Sequence, residues 1–396
     1  MTLPLNGLRI LTIEQYGAGP YCSMFLADMG AEVIKIENPS SGGDFARATG
    51  PYFLGENDSL YFQSFNLNKR SITLDLKEQE GRKVLHKLIG SSQAIINNLR
   101  GNQPTKLGVD YASLKSVNQA IVCGHISAYG RDNSRAARPG YDYLMQSEAG
   151  FLSMTGEPDG PPARFGLSVV DFMTGMMLAY GITATIMKAQ KTGEGGDVDV
   201  SLLDTALHQL SYPGIWYLNE GQVTGRAPRG AHPSVTPSQL VRSKDGWIFI
   251  MCQNPRFWAL LLEGLKDNNL VQDERFRDLE SRLMNRDALT VELDRIFSES
   301  TTEEWVEHFK EKIPIAPVYN IAEALDNPFL NETGMIGQVD HPDRDGMRIL
   351  RNPIRLNGER LPSQAGPKLG QDNEKVLRES GYSAEEIAAL RNNGVI

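Results

Sequence analysis

Short apolar runs alternate with amphipathic stretches along the first third of the chain. "LRILTIE" (8–14) and "AEVIKIE" (31–37) read as buried strands, and "PYCSMFLADMG" (20–30) between them reads as a helix with Pro20 at its start. "SITLDL" (71–76), the amphipathic "EQEGRKVLHKLI" (78–89), "QAIINNL" (93–99) and "QAIVCGHISAYG" (119–130) continue the alternation. Strands spaced by helical patterns predict an α/β fold with a mostly parallel sheet.

From 141 to 210 the pattern turns helical. "FGLSVVDFMTGMMLAYGITATIMKA" (165–189) is nearly free of charge, carries Asp171 at its head, and predicts a long helix made for burial. Gly193, Gly195 and Gly196 then mark a turn, and Val198, Asp199 and Val200 alternate like a half-buried strand. The Pro/Gly-rich "GRAPRGAHPSVTPSQ" (225–239) predicts a linker. "QLVRSKDGWIFIMCQ" (239–253) predicts a hairpin turning at Asp245-Gly246, with helical patterns after it. The expected division is a large domain over 1–224, a small α+β domain with its linker over 225–325, and a return to the large domain over 326–396. That tail is too short to fold alone.

Length changes this picture little: 396 residues suit two domains, and 40% hydrophobic with 22% charged residues suit a globular chain with an ample core. A net charge of −9 argues against nucleic acid as a partner but leaves room for a local basic site. Cys22, Cys123 and Cys252 lie far apart and odd in number, which points to reduced thiols and a cytoplasmic location. No uninterrupted apolar run has the ~18 residues of a membrane span, so no membrane partner is expected. The histidines are scattered without metal-ligand spacing, and no metal is expected.

One motif carries candidate chemistry. In "YGAGPYC" (16–22), Gly17 and Gly19 sit between a strand and a helix, and Glu37 ends the next strand. This nearly reproduces a dinucleotide fingerprint, except that Cys22 stands where a third small residue belongs. Three readings stay open: NAD or FAD, a tight turn with no ligand, or another nucleotide whose diphosphate uses the same turn. A second feature is Ser168-x-x-Asp171, which matches a helix capping box.

Several segments together resemble the family III CoA-transferases, the group of formyl-CoA transferase, carnitine CoA-transferase and the 2-methylacyl-CoA racemases. They are "PLNGLRILTIEQYGAGPYCSMFLADMGAEVIKIENP", "NLNKRSITLDL", "INNLRGNQPTKLG", "RPGYDYLMQSEAGFLSMTGEPDGPPARFGLSVVDFMTG", "KTGEGGDVDVSLLD" and "IPIAPVYNIAEALDNPFLNETGMI". They cover nearly the whole chain in the family's order. The resemblance implies a Rossmann-like large domain built from both chain ends, a smaller inserted domain, and an interlocked homodimer.

It also implies a role for Asp171 as a nucleophile that attacks an acyl-CoA thioester and carries CoA to a small organic acid. No permanently bound cofactor is implied, since CoA thioesters are substrates. Asp171 near a helix N-terminus is expected to be held ionised by the backbone dipole. Glu148 and Asp142 are the competing acids, and Asp142 is expected to support the site. Tyr141 stands where the racemase branch has a histidine, which favours transfer over racemisation unless His125 or His232 fills the gap. Gly17, Ala18, Lys69, Asn98, Leu99, Arg100 and Lys106 would line the CoA path. Three departures separate the chain from formyl-CoA:oxalate exchange: Gly17 replaces a glutamine, Asn38 replaces a basic residue, and "RGAHPSVTP" (229–237) replaces a run of glycines. The expected donor is succinyl-CoA, on family habit. The alternative activity is 2-methylacyl-CoA racemisation.

Overall fold

The computed structural model describes residues 2–396. The chain forms two compact units. The large one takes Met1–Ala149, Gly166–Ser211 and Phe329–Ile396, and the small one takes Gly150–Phe165 and Tyr212–Pro328. The chain passes to the small unit at 149/150, returns at 165/166 and passes again at 211/212, ahead of the Pro/Gly-rich stretch. The segment Gly150–Phe165, which reads as part of the large domain in sequence, belongs to the small unit.

The large unit is built on strands β1 (Arg9–Ile13), β2 (Glu32–Glu37), β3 (Arg70–Thr73), β4 (Ala94–Asn97), β5 (Val122–Ser127) and β6 (Gly196–Ser201). They form one six-stranded sheet in the order β3-β2-β1-β4-β5-β6, and every pairing is parallel. Every residue of β4 and β5 is buried, as strands covered on both faces require. Edge strand β6 alternates instead, with Asp197 and Asp199 turned outward.

Helices α1 (Ala18–Asp28), α2 (Gln79–Ile89), α3 (Asp142–Glu148) and α4 (Val169–Thr192) join these strands, and α5 (Leu202–Gln209) follows β6. Two of the joining helices can be assigned to opposite faces of β5. Cys123 packs with Val84, Leu85 and Leu88 of α2, whereas a Cβ on the next residue, Gly124, would meet Ile182 of α4. Helix α4 buries Val170, Thr174, Gly175, Leu178, Ile182, Ile186 and Ala189 along one stripe. Its other face exposes Met176, Met177, Tyr180 and Met187, so only part of the predicted burial occurs within the chain. By length and composition α4 could cross a membrane, but its buried stripe lies against α1, β5 and β6.

The small unit contributes β7 (Ser238–Arg242), β8 (Trp247–Met251), helices α6 (Pro255–Leu265), α7 (Arg286–Phe297) and α8 (Thr302–Phe309), and β9 (Ile315–Pro317). The β7–β8 hairpin pairs Arg242 with Trp247 and turns through Asp245-Gly246. Val241, Ile248, Leu261, Leu293, Phe297 and Phe309 are central to its core. The chain then returns to the large unit through β10 (Ile336–His341), β11 (Arg344–Leu350), α9 (Asn373–Glu379) and α10 (Ala384–Asn392). This tail seals the edge of β3: Asp372 accepts from the Ser71 N–H at 3.0 Å, and Asn373 accepts from the Thr73 N–H at 2.7 Å. Val376, Leu377, Ile387 and Leu390 complete the core on that face.

Candidate active site

The strand order reverses between β1 and β4, and at such a point the loops leaving the carboxyl ends diverge and open a crevice. A cavity of about 450 Å³ lies there, within the large unit. Gly17 and Ala18 enter it from the turn after β1, Asn98, Leu99 and Arg100 from the loop after β4, Tyr141 from the N-cap of α3, and Asp171 from the first turn of α4.

Close packing of α1 on α4 brings Gly17 and Asp171 together. A Cβ on Gly175 would lie 2.7 Å from the Ala18 carbonyl oxygen and 3.1 Å from the Cys22 nitrogen, so a bare glycine permits this approach. The small residue missing from α1 at Cys22 is thus supplied from the facing helix. One turn earlier, a Cβ on Gly17 would lie 2.5 Å from Asp171 Oδ2. Gly17 leaves room for a carboxyl group pressed against the backbone.

Ser168 makes no side-chain hydrogen bond at the start of α4, so the capping box does not form. Asp142 caps the helix instead. Its Oδ2 accepts from the N–H groups of Val170 at 2.7 Å and Asp171 at 3.0 Å, while its Oδ1 accepts from Gln146 at 2.5 Å. Asp142 is 3% exposed. The Asp171 carboxyl accepts no hydrogen bond among the described residues. Burial, with the adjacent Asp142 charge, pushes its pKa from 3.8 up to about 7. This reverses the expectation from the helix dipole: at neutral pH Asp171 is poised between acid and carboxylate.

Aromatic rings wall the neighbourhood. Tyr16 meets Phe45, Tyr61 and Tyr141 at centroid distances of 5.5, 6.4 and 6.3 Å. Burial, then the Asp171 charge, raises the Tyr61 phenol to about 12, so it stays a neutral donor. Neither suggested histidine is among the residues that line this cavity, and His125 is 1% exposed and held at 2.9 Å by both Asn97 and Asp197.

The basic residues divide. Arg100 lines the cavity, whereas Lys106 does not. Lys69 turns inward: its Nζ donates to Glu14 at 2.9 Å, the Pro20 carbonyl at 2.9 Å and Asn66 at 3.0 Å, which occupies all three N–H groups. Burial lowers its pKa to about 8 despite Glu14. Glu37, the acid a dinucleotide ribose would need, is 4% exposed. It is occupied by Arg47 at 2.8 and 2.7 Å, Ser71 at 2.7 Å and the Asp44 N–H at 2.9 Å. Sequence reasoning missed Lys77 and Arg138, which also line the cavity. Lys77 and Arg100 share a signal that could have found one of them: each closely follows the carboxyl end of a strand.

Among the described residues no cluster of His, Cys, Asp or Glu could hold a metal ion. The family model described as CoA-transferase family III matches residues 5–373. A succinate–glutarate CoA-transferase of Agrobacterium fabrum is 34% identical over 95% of this chain and 95% of its own. A succinyl-CoA:mesaconate CoA-transferase of Haloarcula marismortui is 31% identical over 95% of this chain and 96% of its own. Among solved structures, a CaiB/BaiF family protein from Brucella suis superposes with a TM-score of 0.85 at 31% identity. That match covers 96% of this chain and all of that one.

Proposed function

The chain belongs to CoA-transferase family III and is a CoA-transferase acting between an acyl-CoA and a carboxylic acid; we propose that Asp171 is its covalent nucleophile, succinyl-CoA its donor and a small dicarboxylic acid its acceptor. The observation that carries the nucleophile is the position of Asp171, an unbonded carboxyl in the crevice with a pKa near 7. A carboxylate of raised pKa holds its electron pair less tightly than an ordinary one and is a better nucleophile.

An Asp171 oxygen adds to the thioester carbonyl, the C–S bond breaks, and CoA leaves as thiolate from a mixed anhydride. The thiolate attacks the Asp171 carbonyl, the anhydride C–O bond breaks, and the donor acid departs as carboxylate. The acceptor carboxylate attacks the resulting aspartyl thioester and releases CoA thiolate again. That thiolate takes the acceptor acyl group and restores Asp171. Every step preserves one activated acyl bond, so the cycle needs no external energy source, only exclusion of water. The tyrosine-lined wall suits that need.

The backbone at Gly17 and Ala18, with Leu99, Arg100, Lys77 and Arg138, is assigned to the CoA nucleotide; guanidinium and ammonium groups complement its phosphates. The dicarboxylate reading is supported by the two relatives, whose names pair succinate or succinyl-CoA with glutarate or mesaconate. A homodimer would cover the exposed Met176, Met177, Tyr180 and Met187, and the three buried free cysteines suit a cytosolic enzyme.

Incubation with succinyl-CoA followed by borohydride or hydroxylamine tests the mechanism. A mass change confined to the peptide containing Asp171 is expected, together with loss of transfer in Asp171→Ala. Retention of full turnover by folded Asp171→Ala would refute it. In deuterium oxide no α-proton exchange is expected without an acceptor acid, because no histidine is among the residues that line the cavity.

A further inference from the structure

Four residues, Glu14 to Gly17, join β1 to α1, and the last three are each held or met from outside the turn. The Asn98 carboxamide grips both backbone polar groups of Gln15: its Oδ1 accepts from the Gln15 N–H at 3.0 Å, and its Nδ2 donates to the Gln15 backbone carbonyl at 2.6 Å. Asp44 Oδ1 accepts from the Tyr16 N–H at 3.1 Å and from the Ala46 N–H at 2.9 Å. Asp44 is 2% exposed, and its other oxygen lies 2.8 Å from Nζ of the fully buried Lys35. Lys35 in turn donates to the Glu14 carbonyl at 2.9 Å, so the anchor is tied back to the end of β1. Gly17 then abuts the Asp171 carboxyl.

Between these grips Tyr16 adopts φ = +62°, the left-handed region that a bulky side chain avoids. Such a conformation persists only where its surroundings over-determine it, and it is concentrated at functional sites. A turn needed only to connect a strand to a helix would not call for an aromatic residue there.

We propose that Asn98 and Asp44 form a two-point clamp on the Gln15–Gly17 turn, acting as positioning residues that hold the Gly17 backbone against the reacting carboxyl of Asp171. The proposal rests on Asp171 being the nucleophile. It gives Asn98 a different part from that of a CoA ligand. A ligand role would appear in KM, whereas a clamp appears in kcat, because displacement of a reacting group by about 1 Å can lower the rate about 100-fold.

Asn98→Ala, Asp44→Ala and Asp44→Asn separate the roles. Transfer is measured with the best acyl-CoA and acid pair that the wild type accepts from a panel of short acyl-CoAs and dicarboxylates. A second readout needs no turnover: the pH dependence of carbodiimide labelling at Asp171, followed by peptide mass spectrometry. Asn98→Ala is expected to lower kcat about 10- to 100-fold, with the KM for acyl-CoA within about threefold. Its labelling midpoint should fall, as loosening of the turn admits water to the carboxyl. Asp44→Asn keeps an acceptor for the Tyr16 N–H and should retain most of the kcat that Asp44→Ala loses.

A folded Asn98→Ala enzyme with kcat within twofold of wild type and an unmoved labelling midpoint would overturn the clamp. Equal losses in Asp44→Asn and Asp44→Ala would overturn the part given to Asp44. Full activity in Asp171→Ala would instead remove the nucleophile, a separate failure that the labelling readout keeps distinct from that of the clamp.

Discussion

Replacing Asp171 by asparagine should make the protein more stable at alkaline pH while abolishing transfer. The Asp171 carboxyl has an ordinary pKa of 3.8 when the chain is unfolded and about 7 when folded. Below 3.8 both states are protonated and the group has no effect. Between 3.8 and 7 the folded state keeps a proton that the unfolded state has lost, so stability declines as pH rises. Above 7 the full penalty for a buried charge beside Asp142 is in place. At 1.36 kcal/mol per pH unit the interval corresponds to roughly 4 kcal/mol, of which roughly 2–3 kcal/mol accrues between pH 5 and pH 8.5. Asp171 is half-buried and opens on the cavity, and water near the carboxyl reduces the measured effect to about 1–2 kcal/mol.

Asparagine matches aspartate in volume and carries no charge, so it removes the penalty with little change in packing. Calorimetric scans of both proteins at pH 5 and pH 8.5 read the difference. The variant's advantage in Tm should grow by several degrees between the two, given about 2–4 °C per kcal/mol for a unit of this class. An equal shift at both pH values would refute the reasoning, as would a variant less stable than wild type at pH 8.5. Either result would mean that Asp171 is not held in a high-energy ionised state by its surroundings.

Asp142→Asn should move the acidic limb of the pH–rate profile to lower pH, because it deletes the charge that helps raise Asp171. Burial is the larger cause, so the limb should recover less than half of the interval down to 3.8. Gly175→Ala should lower stability by about 1–3 kcal/mol and also lower kcat, since its Cβ would push α1, and with it Gly17, away from α4; denaturant titration and initial rates read both. Arg138→Ala should raise the KM for acyl-CoA about 10- to 100-fold, the worth of one charge-assisted bond to phosphate, with a smaller effect on kcat. Added salt should weaken CoA binding to wild type more than to this variant.

The sheet was legible because a parallel strand covered on both faces tends toward a near-continuous apolar run, and "LRILTIE", "AEVIKIE" and "QAIINNL" are short β-branched stretches with few interruptions. The hairpin at Asp245-Gly246 was legible from its turn residues. Charged residues inside or beside these runs misled. Lys35 sits in the middle of β2 and Lys69 just before β3, and nothing local says that both point inward to Glu14 and Asp44. Asn98 and Arg100 look equally available in "INNLRGN" and both line the cavity, yet the Asn98 carboxamide is taken up by the backbone of Gln15. The cap of α4 was misread for the same reason. Ser168 is three positions before Asp171, but the group that reaches the free N–H groups is Asp142, carried in from a different helix. Spacing shows which residues share an element, whereas side-chain direction depends on packing that forms later.

The acid at the head of the long apolar helix is therefore one of a pair, and the pair divides the available hydrogen bonds unequally. Asp142 takes the backbone N–H groups that would ordinarily stabilise a carboxylate at Asp171, together with the Gln146 amide. Ionised Asp142 caps α4 and fixes its first turn; the same charge makes ionisation of its neighbour unfavourable. Burial and then the Asp142 charge raise the pKa of Asp171, the member with fewer donors, so it is Asp171 that keeps a proton toward neutral pH. An aspartate capping its own helix would sit well below neutral pH, fully ionised and weakly basic. Transferring the cap to a second aspartate keeps the helix end satisfied and leaves the first with its electron pair uncommitted. The proposed nucleophilic role of Asp171 would draw on that basicity, which arises with no cation in direct contact with the carboxyl among the described residues.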